Sequence, residues 1–507
     1  MTKSFLNRAA FGALALALVA TTAEQVNASD EDLLLDGSIS SAQGAASYTF
    51  SQSYPTGTTA ADVYRNSLTR RAIEAYKTFL PTITTEAMFD SFEKAGAVPN
   101  KVGITLDQGP RHQIAYTNSD TPYSFAILDL REGPMVIDMP PNPLLLGLVD
   151  DHNMRWITDL GGIGPDKGKG GRHLILPPGY DGEVPTEGYF VSQSKTWKIL
   201  PGIRSVPLKM SVEEAIAAGR EIKIYPFGQD RETAEWSWID VTETRMPLPL
   251  LEWEGRLGYW KQLHDVIQYE ATQDEDRYAM GALRQLGITK GAPFSPDEET
   301  LNILTGAALA AHSELAITAY ANRDPARLMW DDRRWELLPL ATMHLPKGDF
   351  GDEGLIGREA SDQYFFLAWG TGSTIGVQKP GSGSVYFSAF ADEGGTYLDG
   401  AKSYKMTIPG PVPAELFWSV TVYDAETRVL IETPLKRAAV RSHRDDPQSN
   451  KDGSFDIYFG PEAPEGPESN WVQTIPGEGW FTAVRIYSPT DVAFDGTWRL
   501  GDIMVIK

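Results

Sequence analysis

From His112 onward apolar and polar residues alternate in short runs broken by turn residues, and the same rhythm returns after Arg358. A period of two sends successive side chains to opposite faces of an extended chain, so each run buries one face against another layer. The runs 112–117, 123–130, 134–139 and 144–159 read as strands, separated by Asn118-Ser119-Asp120-Thr121-Pro122 and Glu132-Gly133. Short, evenly spaced strands of this kind predict an antiparallel sandwich or barrel. Further strands are expected over 364–369, 384–391, 403–408, 416–424, 454–459 and 479–487. Helical spacing fills 60–80, ended by Pro81; 212–218; 253–286, broken near 271–276; and 296–322, opened by Ser295-Pro296-Asp297-Glu298. The fold class is therefore mainly β with a helical middle (α+β). No repeat at a period of roughly 20–50 residues points to a solenoid or propeller.

Composition narrows what such a chain does. Its 507 residues include no cysteine, which excludes a disulfide scaffold, a thiolate zinc site, an iron–sulfur centre and a cysteine nucleophile. At roughly 100–200 residues per domain the length predicts two or three domains. With 45 Lys plus Arg against 68 Asp plus Glu, the formal charge of −23 repels phosphate backbones, so no nucleic-acid partner is expected. Lys3 and Arg8 precede an apolar run over 9–20, long enough for a signal-peptide core and short for a bilayer span, with small residues at Thr21-Thr22-Ala23. The reading is a signal peptide over 1–23, a polar segment over 24–58, and a soluble periplasmic or secreted protein without a membrane span. Removing the leader takes away two cations and no anion, leaving 43 − 68 = −25.

Several motifs follow one another along the chain. The first β-rich part holds Tyr116-Thr117-Asn118-Ser119-Asp120-Thr121-Pro122-Tyr123, the strand around Asp129, Gly133-Pro134-Met135-Val136, and Gly168-Lys169-Gly170-Gly171-Arg172 through Leu176-Pro177-Pro178-Gly179-Tyr180. The second holds Pro413 through Phe417-Trp418-Ser419-Val420-Thr421-Val422-Tyr423-Asp424, then Asp452-Gly453-Ser454, Asn470-Trp471 and Arg485-Ile486-Tyr487-Ser488-Pro489. Between them lie Leu286-Gly287-Ile288 and Gly291-Ala292-Pro293-Phe294-Ser295-Pro296. In this order the motifs resemble the bacterial two-module family of unknown function in which domain of unknown function 1254 precedes domain of unknown function 1214. The resemblance spans nearly all of the chain beyond the leader. It implies two antiparallel β-sandwich-like modules, over 59–250 and 358–507, joined by a helical connector over 251–357, and assembly as a homo-oligomer. It carries no catalytic set.

Candidate chemistry is therefore read from the residues. On one strand through 148–159, Asp150, His152 and Trp156 share a face. An imidazole oriented by a carboxylate serves as a general base or supplies metal ligands, so Asp150 and His152 are the candidate catalytic pair. The turn before Tyr123 offers Asp120 and Tyr123 as orienting residues, with Asn118 and His112 at the same end; Asn and Asp in such a turn also bond their own backbone. Lys169 and Arg172 sit in a glycine-rich hairpin that lacks both the phosphate-loop spacing and the last glycine of the dinucleotide fingerprint. Together with Arg441 and His443, beside Arg444, they are the cationic spots where an anionic ligand would touch a very acidic chain. Trp260 and His264, one helical turn apart, are candidate ligand contacts or a packed aromatic stripe. Trp418, Trp471, Trp480, Arg485 and Tyr487 form either a stacking face or core.

The chain has no Gly-x-Ser-x-Gly, no His-Glu-x-x-His and no Ser-x-x-Lys in the setting of a serine hydrolase. No cofactor is identified, and the use of a metal stays open. The expectation is an exported hydrolase or lyase acting on a small or oligomeric organic substrate in a cleft of the N-terminal module. The competing reading is a non-catalytic ligand-binding or oligomeric assembly protein using aromatic faces.

Overall fold

The computed structural model describes residues 48–321, 323, 325–337, 357–372, 380–381 and 383–506. The expected signal peptide, and the polar segment up to residue 47, lie outside the described residues. The chain divides into a small unit ending at Thr69 and a large one beginning at Arg70. In the small unit β1 (Phe50–Ser51) pairs antiparallel with β2 (Tyr54–Pro55), and the hydroxyls of Thr49, Thr56 and Thr59 bond one another. Helix α1 spans Gly57–Lys94.

The first β-rich part follows as β3 (Val102–Leu106), β4 (Tyr123–Phe125), β5 (Leu128–Asp129), β6 (Met135–Met139), β7 (Leu145–Asp151), β8 (Trp156–Gly161), β9 (Gly171–Leu176), β10 (Phe190–Gln193) and β11 (Lys198–Ser205). Helix α2 (Val212–Gly219), closed at its start by a capping box between Ser211 and Glu214, leads to β12 (Lys223–Pro226) and β13 (Ser237–Asp240). Seven strands form one sheet in the order β13-β3-β4-β11-β7-β8, with β5 also on β11; four form another in the order β10-β9-β6-β12. Alternation explains why they stack. Leu145, Val149, Ile199 and Ile203 of the larger sheet meet Met135, Ile137, Ile175 and Ile224 of the smaller in one buried core. Each such side chain removed from water contributes about 1.5–3 kcal/mol. Pairing is mostly antiparallel, as expected, while the edge strands β10 and β13 pair in parallel.

The helical middle holds α3 (Leu250–Trp253), α4 (Leu257–Tyr269), α5 (Arg277–Gln285), α6 (Glu298–Tyr320) and α7 (Arg358–Leu367). The break expected near 271–276 lies between α4 and α5, and Asp297 caps α6 by accepting the Thr300 N–H at 2.8 Å. After β14 (Glu336–Leu337) come β15 (Ser384–Ala389), β16 (Ser403–Ile408), β17 (Trp418–Asp424), β18 (Ala439–Arg441), β19 (Phe455–Gly460), β20 (Trp471–Gln473), β21 (Trp480–Tyr487) and β22 (Met504–Ile506). They form a five-stranded sheet, β14-β15-β21-β17-β18, and a four-stranded one, β20-β19-β16-β22. Trp480 of the first packs on Tyr404 and Phe459 of the second, with ring centroids 5.6 and 4.8 Å away. Among the described residues no helix is long and apolar enough to cross a membrane.

Three local expectations are corrected. Pro81 does not end its helix, which continues to Lys94. A proline in a helix interior costs about 3 kcal/mol, but Ile83, Met88, Phe89 and Phe92 on the following turns are all at most 1% exposed, and their burial outweighs the lost bond. The strand expected at 364–369 begins inside α7, because Gln363 to Leu367 are all buried and a run without a polar face has no readable period. The segment 112–117 is a turn held by one bridge from His112 to Met246.

Candidate functional site

The five-stranded sheet has an apolar face and a polar one. Val385 and Phe387 of β15, Val420 and Val422 of β17 and Val484 and Ile486 of β21 take the first. Ser384 and Tyr386, Ser419 and Thr421, and Arg485 and Tyr487 alternate onto the second. The ladder sets Tyr386 and Ser419 on either side of Arg485. The seven-stranded sheet repeats the logic. Ile199 and Ile203 of β11 enter the sandwich core, so Arg204 points the other way, flanked by Tyr123 of β4 and Leu146 of β7.

Between these two outward faces lies a cavity of about 390 Å³. Leu144, Leu146, Trp369 and Phe417 line its apolar walls, and Tyr123, Arg204, Tyr386, Arg485 and Tyr487 its polar side. Arg204 Nε donates to Tyr123 Oη at 3.0 Å. Arg485 is 1% exposed; it donates to Thr421 Oγ1 at 2.9 Å and to the Tyr423 hydroxyl, and its Nε has no partner. Neither guanidinium is ion-paired with a carboxylate among the described residues. An acid whose charge acts on Arg485 is Asp120, whose Oδ2 accepts the hydroxyls of Tyr487 at 2.6 Å and Ser419 at 2.7 Å, while Oδ1 is buried without a partner. Two fixed cations against one anion leave the site net positive, in a low-dielectric setting that strengthens its field.

The cavity's phenols divide by environment. Burial pushes Tyr116, Tyr123, Tyr364 and Tyr487 up. Burial acts on Tyr386 in the same sense, but the positive charges of Arg204 and then Arg485 outweigh it and hold this phenol below its ordinary value.

The candidates read from the sequence fall into different places. Asp150 and His152 do not form a pair. Asp151 Oδ1 accepts the N–H of Asn153 and Arg155, so the chain turns after Asp151 and 144–159 is a hairpin of β7 and β8, not one strand. Asp150 accepts Thr371 N at 2.7 Å and Thr371 Oγ1 at 2.9 Å, and burial raises its carboxyl well above the usual range. His152 is fully buried between Glu270 Oε1, 3.0 Å from Nδ1, and Glu86 Oε2, 3.3 Å from Nε2. Burial alone would lower its pKa, but the two carboxylates lift it to about 9. Trp156 bonds Asp159 at 3.1 Å.

Tyr123 and Asn118 do line the cavity; Asn118 Nδ2 donates to Tyr487 Oη at 2.6 Å, and its Oδ1 accepts the Asp120 N–H, the expected turn bond. His112 is buried between Gly109 N and Val241 O, outside the cavity. Arg441 pairs with Asp445 and donates to Ser119 O, Arg444 pairs with Asp107, and His443 bonds Asp120 O at 3.0 Å. This basic group clamps the 118–120 turn from behind. Lys169 and Arg172 are exposed; Lys169 borders an open surface hollow, and Arg172 lies over the Tyr189 ring at 4.2 Å. Trp260 is core, bonded to Leu304 O at 2.8 Å, and His264 bonds Ala292 O at 2.8 Å. Trp418, Trp471 and Trp480 are buried and form no open aromatic face. Among the described residues no group of three or more His, Asp or Glu is arranged to hold a metal ion.

Arg204 and Tyr386 escaped the sequence reading. The signal for Arg204 was available: a cation inside the apolar run Ile199-Leu200-Pro201-Gly202-Ile203-Arg204 is costly unless its strand has a polar neighbour to face. Tyr386 in Ser384-Val385-Tyr386-Phe387 carries no such mark.

Residues 100–226 match the family model described as Protein of unknown function (DUF1254), and 383–491 the one described as Protein of unknown function (DUF1214). No curated protein matches the sequence. Among solved structures, the VPA0106 protein from Vibrio parahaemolyticus is similar at 16% identity and a TM-score of 0.51, over 87% of this chain and 100% of that one, a likeness of fold. An uncharacterised protein from Burkholderia cenocepacia aligns at 13% identity and a TM-score of 0.40, over 89% and 97% of the two chains. The two matched modules stand in the order that the motifs anticipate, and the chain belongs to the family in which a DUF1254 module is followed by a DUF1214 module.

Proposed function

We propose that this protein binds a small organic anion, a carboxylate or phosphate on an apolar body, in the cavity between its two β-rich modules. The observation that carries the reading is the pair Arg204 and Arg485, one from each module, facing a single cavity without a carboxylate partner among the described residues. Buried cations ordinarily carry a counter-anion, and guanidinium forks match carboxylate and phosphate oxygens. Leu144, Leu146, Trp369 and Phe417 supply the apolar surface that a carbon body needs. Export is part of the proposal on the strength of the leader sequence alone.

Calorimetry on the full chain tests it with three probes of like shape: phenylacetate, phenyl phosphate and the uncharged 2-phenylacetamide. At least one anion is expected to bind and the amide to bind much more weakly. Arg204→Gln is expected to lower the anion's affinity by at least about tenfold, since a charge-assisted hydrogen bond is worth about 1.5–3 kcal/mol. Absence of binding by both anions at millimolar concentration, or equal binding of the amide, overturns the reading.

A further inference from the structure

We infer that Tyr386 is a catalytic acid–base residue of this cavity, moving a proton on the carbon beside the carbonyl of a bound 2-oxo acid. The inference rests on the anion-binding reading and adds chemistry to it. Another buried titratable cluster, His152 with Glu86 and Glu270, has both imidazole nitrogens against carboxylates and does not line the cavity.

Tyr386 is half-buried, lines the cavity, and stands opposite Arg485 in the β15–β21 ladder, with the Arg485 guanidinium 5.3 Å from its ring centre. Ser384 stands on the same face of β15, and Arg204 on β11 is near enough for its charge to act on the phenol. One guanidinium is enough to hold a carboxylate. The second is then left for the neighbouring carbonyl oxygen, where negative charge develops when the adjacent C–H is broken. In the step, the Tyr386 phenolate oxygen takes the proton. The C–H electron pair becomes the C=C bond of an enolate, and the carbonyl π pair moves onto oxygen, beside a guanidinium. Return of a proton from Tyr386 to the same carbon regenerates the 2-oxo acid with no atom gained or lost, and the step needs no co-reactant. Proton exchange, tautomerisation or racemisation at that carbon are its outcomes.

The lowered phenol supports the assignment, because a base that ionises nearer neutral pH is populated in its active form. The titratable and charged groups around it are Arg204 on β11, Tyr123 on β4, Arg485 and Tyr487 on β21, Tyr116 in the turn and Tyr364 on α7. The two arginines favour its ionised form, and the four phenols, which burial pushes up, stay neutral where it titrates.

The test is solvent exchange of the C3 protons of phenylpyruvate in D2O, followed by proton NMR with the full chain. The wild type is expected to accelerate exchange over buffer, with a rate that rises through one ionisation below that of an ordinary phenol. Tyr386→Phe keeps the ring beneath Arg485 and is expected to cut the protein-dependent rate on the order of 100-fold, with the affinity for phenylpyruvate unchanged. It is also expected to abolish the lowest step of phenolate absorbance in a pH titration. If phenylpyruvate binds but exchanges at the buffer rate, or if Tyr386→Phe is as fast as wild type, the acid–base role is overturned while anion binding stands. If phenylpyruvate, phenylacetate and phenyl phosphate all fail to bind, both fall.

Discussion

His152 is fully buried and holds its proton between two carboxylates, and that makes it the most consequential single residue outside the cavity. Glu270 also accepts the N–H of Trp197 at 2.7 Å and of Lys198 at 2.9 Å, and Glu86 accepts the Tyr269 hydroxyl at 2.9 Å, so the cluster ties α1, α4 and β11 together. Replacing His152 by Ala takes from buried Glu270 and partly buried Glu86 the cation they share, a loss of about 3–5 kcal/mol, read as a lowered midpoint in urea unfolding near pH 6. The sign of the pH effect follows from the shifts. The imidazole is raised from 6.5 to about 9, so its stabilisation is complete below pH 6.5 and fades as pH rises through about 9. Glu86 is lowered from 4.5 to about 2: burial opposes the shift and His152 outweighs it, and this stabilisation is present above pH 4.5 and lost as pH falls through about 2. The gap between wild type and His152→Ala is therefore expected to narrow from pH 6.5 to 9; a gap that widens over that range contradicts the buried ion pair.

At the level of elements, the β7–β8 hairpin sets one wall of the cavity, and Gly161 at its end decides how close the strands come. Its φ is +68°, and a Cβ there would lie 2.0 Å from the Leu145 carbonyl oxygen. Gly161→Ala is expected to cost at least about 1–2 kcal/mol from the left-handed backbone alone, with the clash added, and to weaken anion binding by shifting Leu144 and Leu146. Denaturant unfolding and calorimetry on the same variant check both; a variant with wild-type stability and affinity contradicts the close approach. Strand alternation made this architecture largely legible, since Ile199, Ile203, Val484 and Ile486 mark core faces by period alone. It failed where polar groups bend the chain, as at Asp151, or where both faces are covered, as in α7. The cavity was legible only in halves: Tyr123 and Asn118 stand out as a turn, but period two cannot say which outward face will meet another sheet. Arg204 and Tyr386 therefore do not stand out by period, whereas His152, isolated in its ion pair, does.

Across the whole molecule, the two β-rich parts are joined by buried polar bonds rather than by a linker. Tyr487 reaches Asp120, Tyr116 Oη and Ser388 Oγ lie 2.7 Å apart, and half-buried Arg444 reaches Asp107 at 2.6 Å, while buried Arg428 ties the second part to the helical middle through Glu254 at 2.7 Å. Breaking the parts asunder strands these groups without partners, at about 1–3 kcal/mol each. From Arg70 onward the protein is therefore expected to unfold in one cooperative transition, coincident by far-UV circular dichroism and tryptophan fluorescence; two separated transitions contradict that coupling. A bound anion is expected to move the whole transition upward, by about 2.7 kcal/mol of stability at a hundredfold excess over Kd. The division of the two cavity arginines between the modules has a further consequence for descent. A lineage that exchanged one module for a diverged copy would inherit half a charge pattern, and the incoming half would have to match in position and spacing. The pair, and not the single module, is thus the smallest piece that recombination can shuffle without erasing the site.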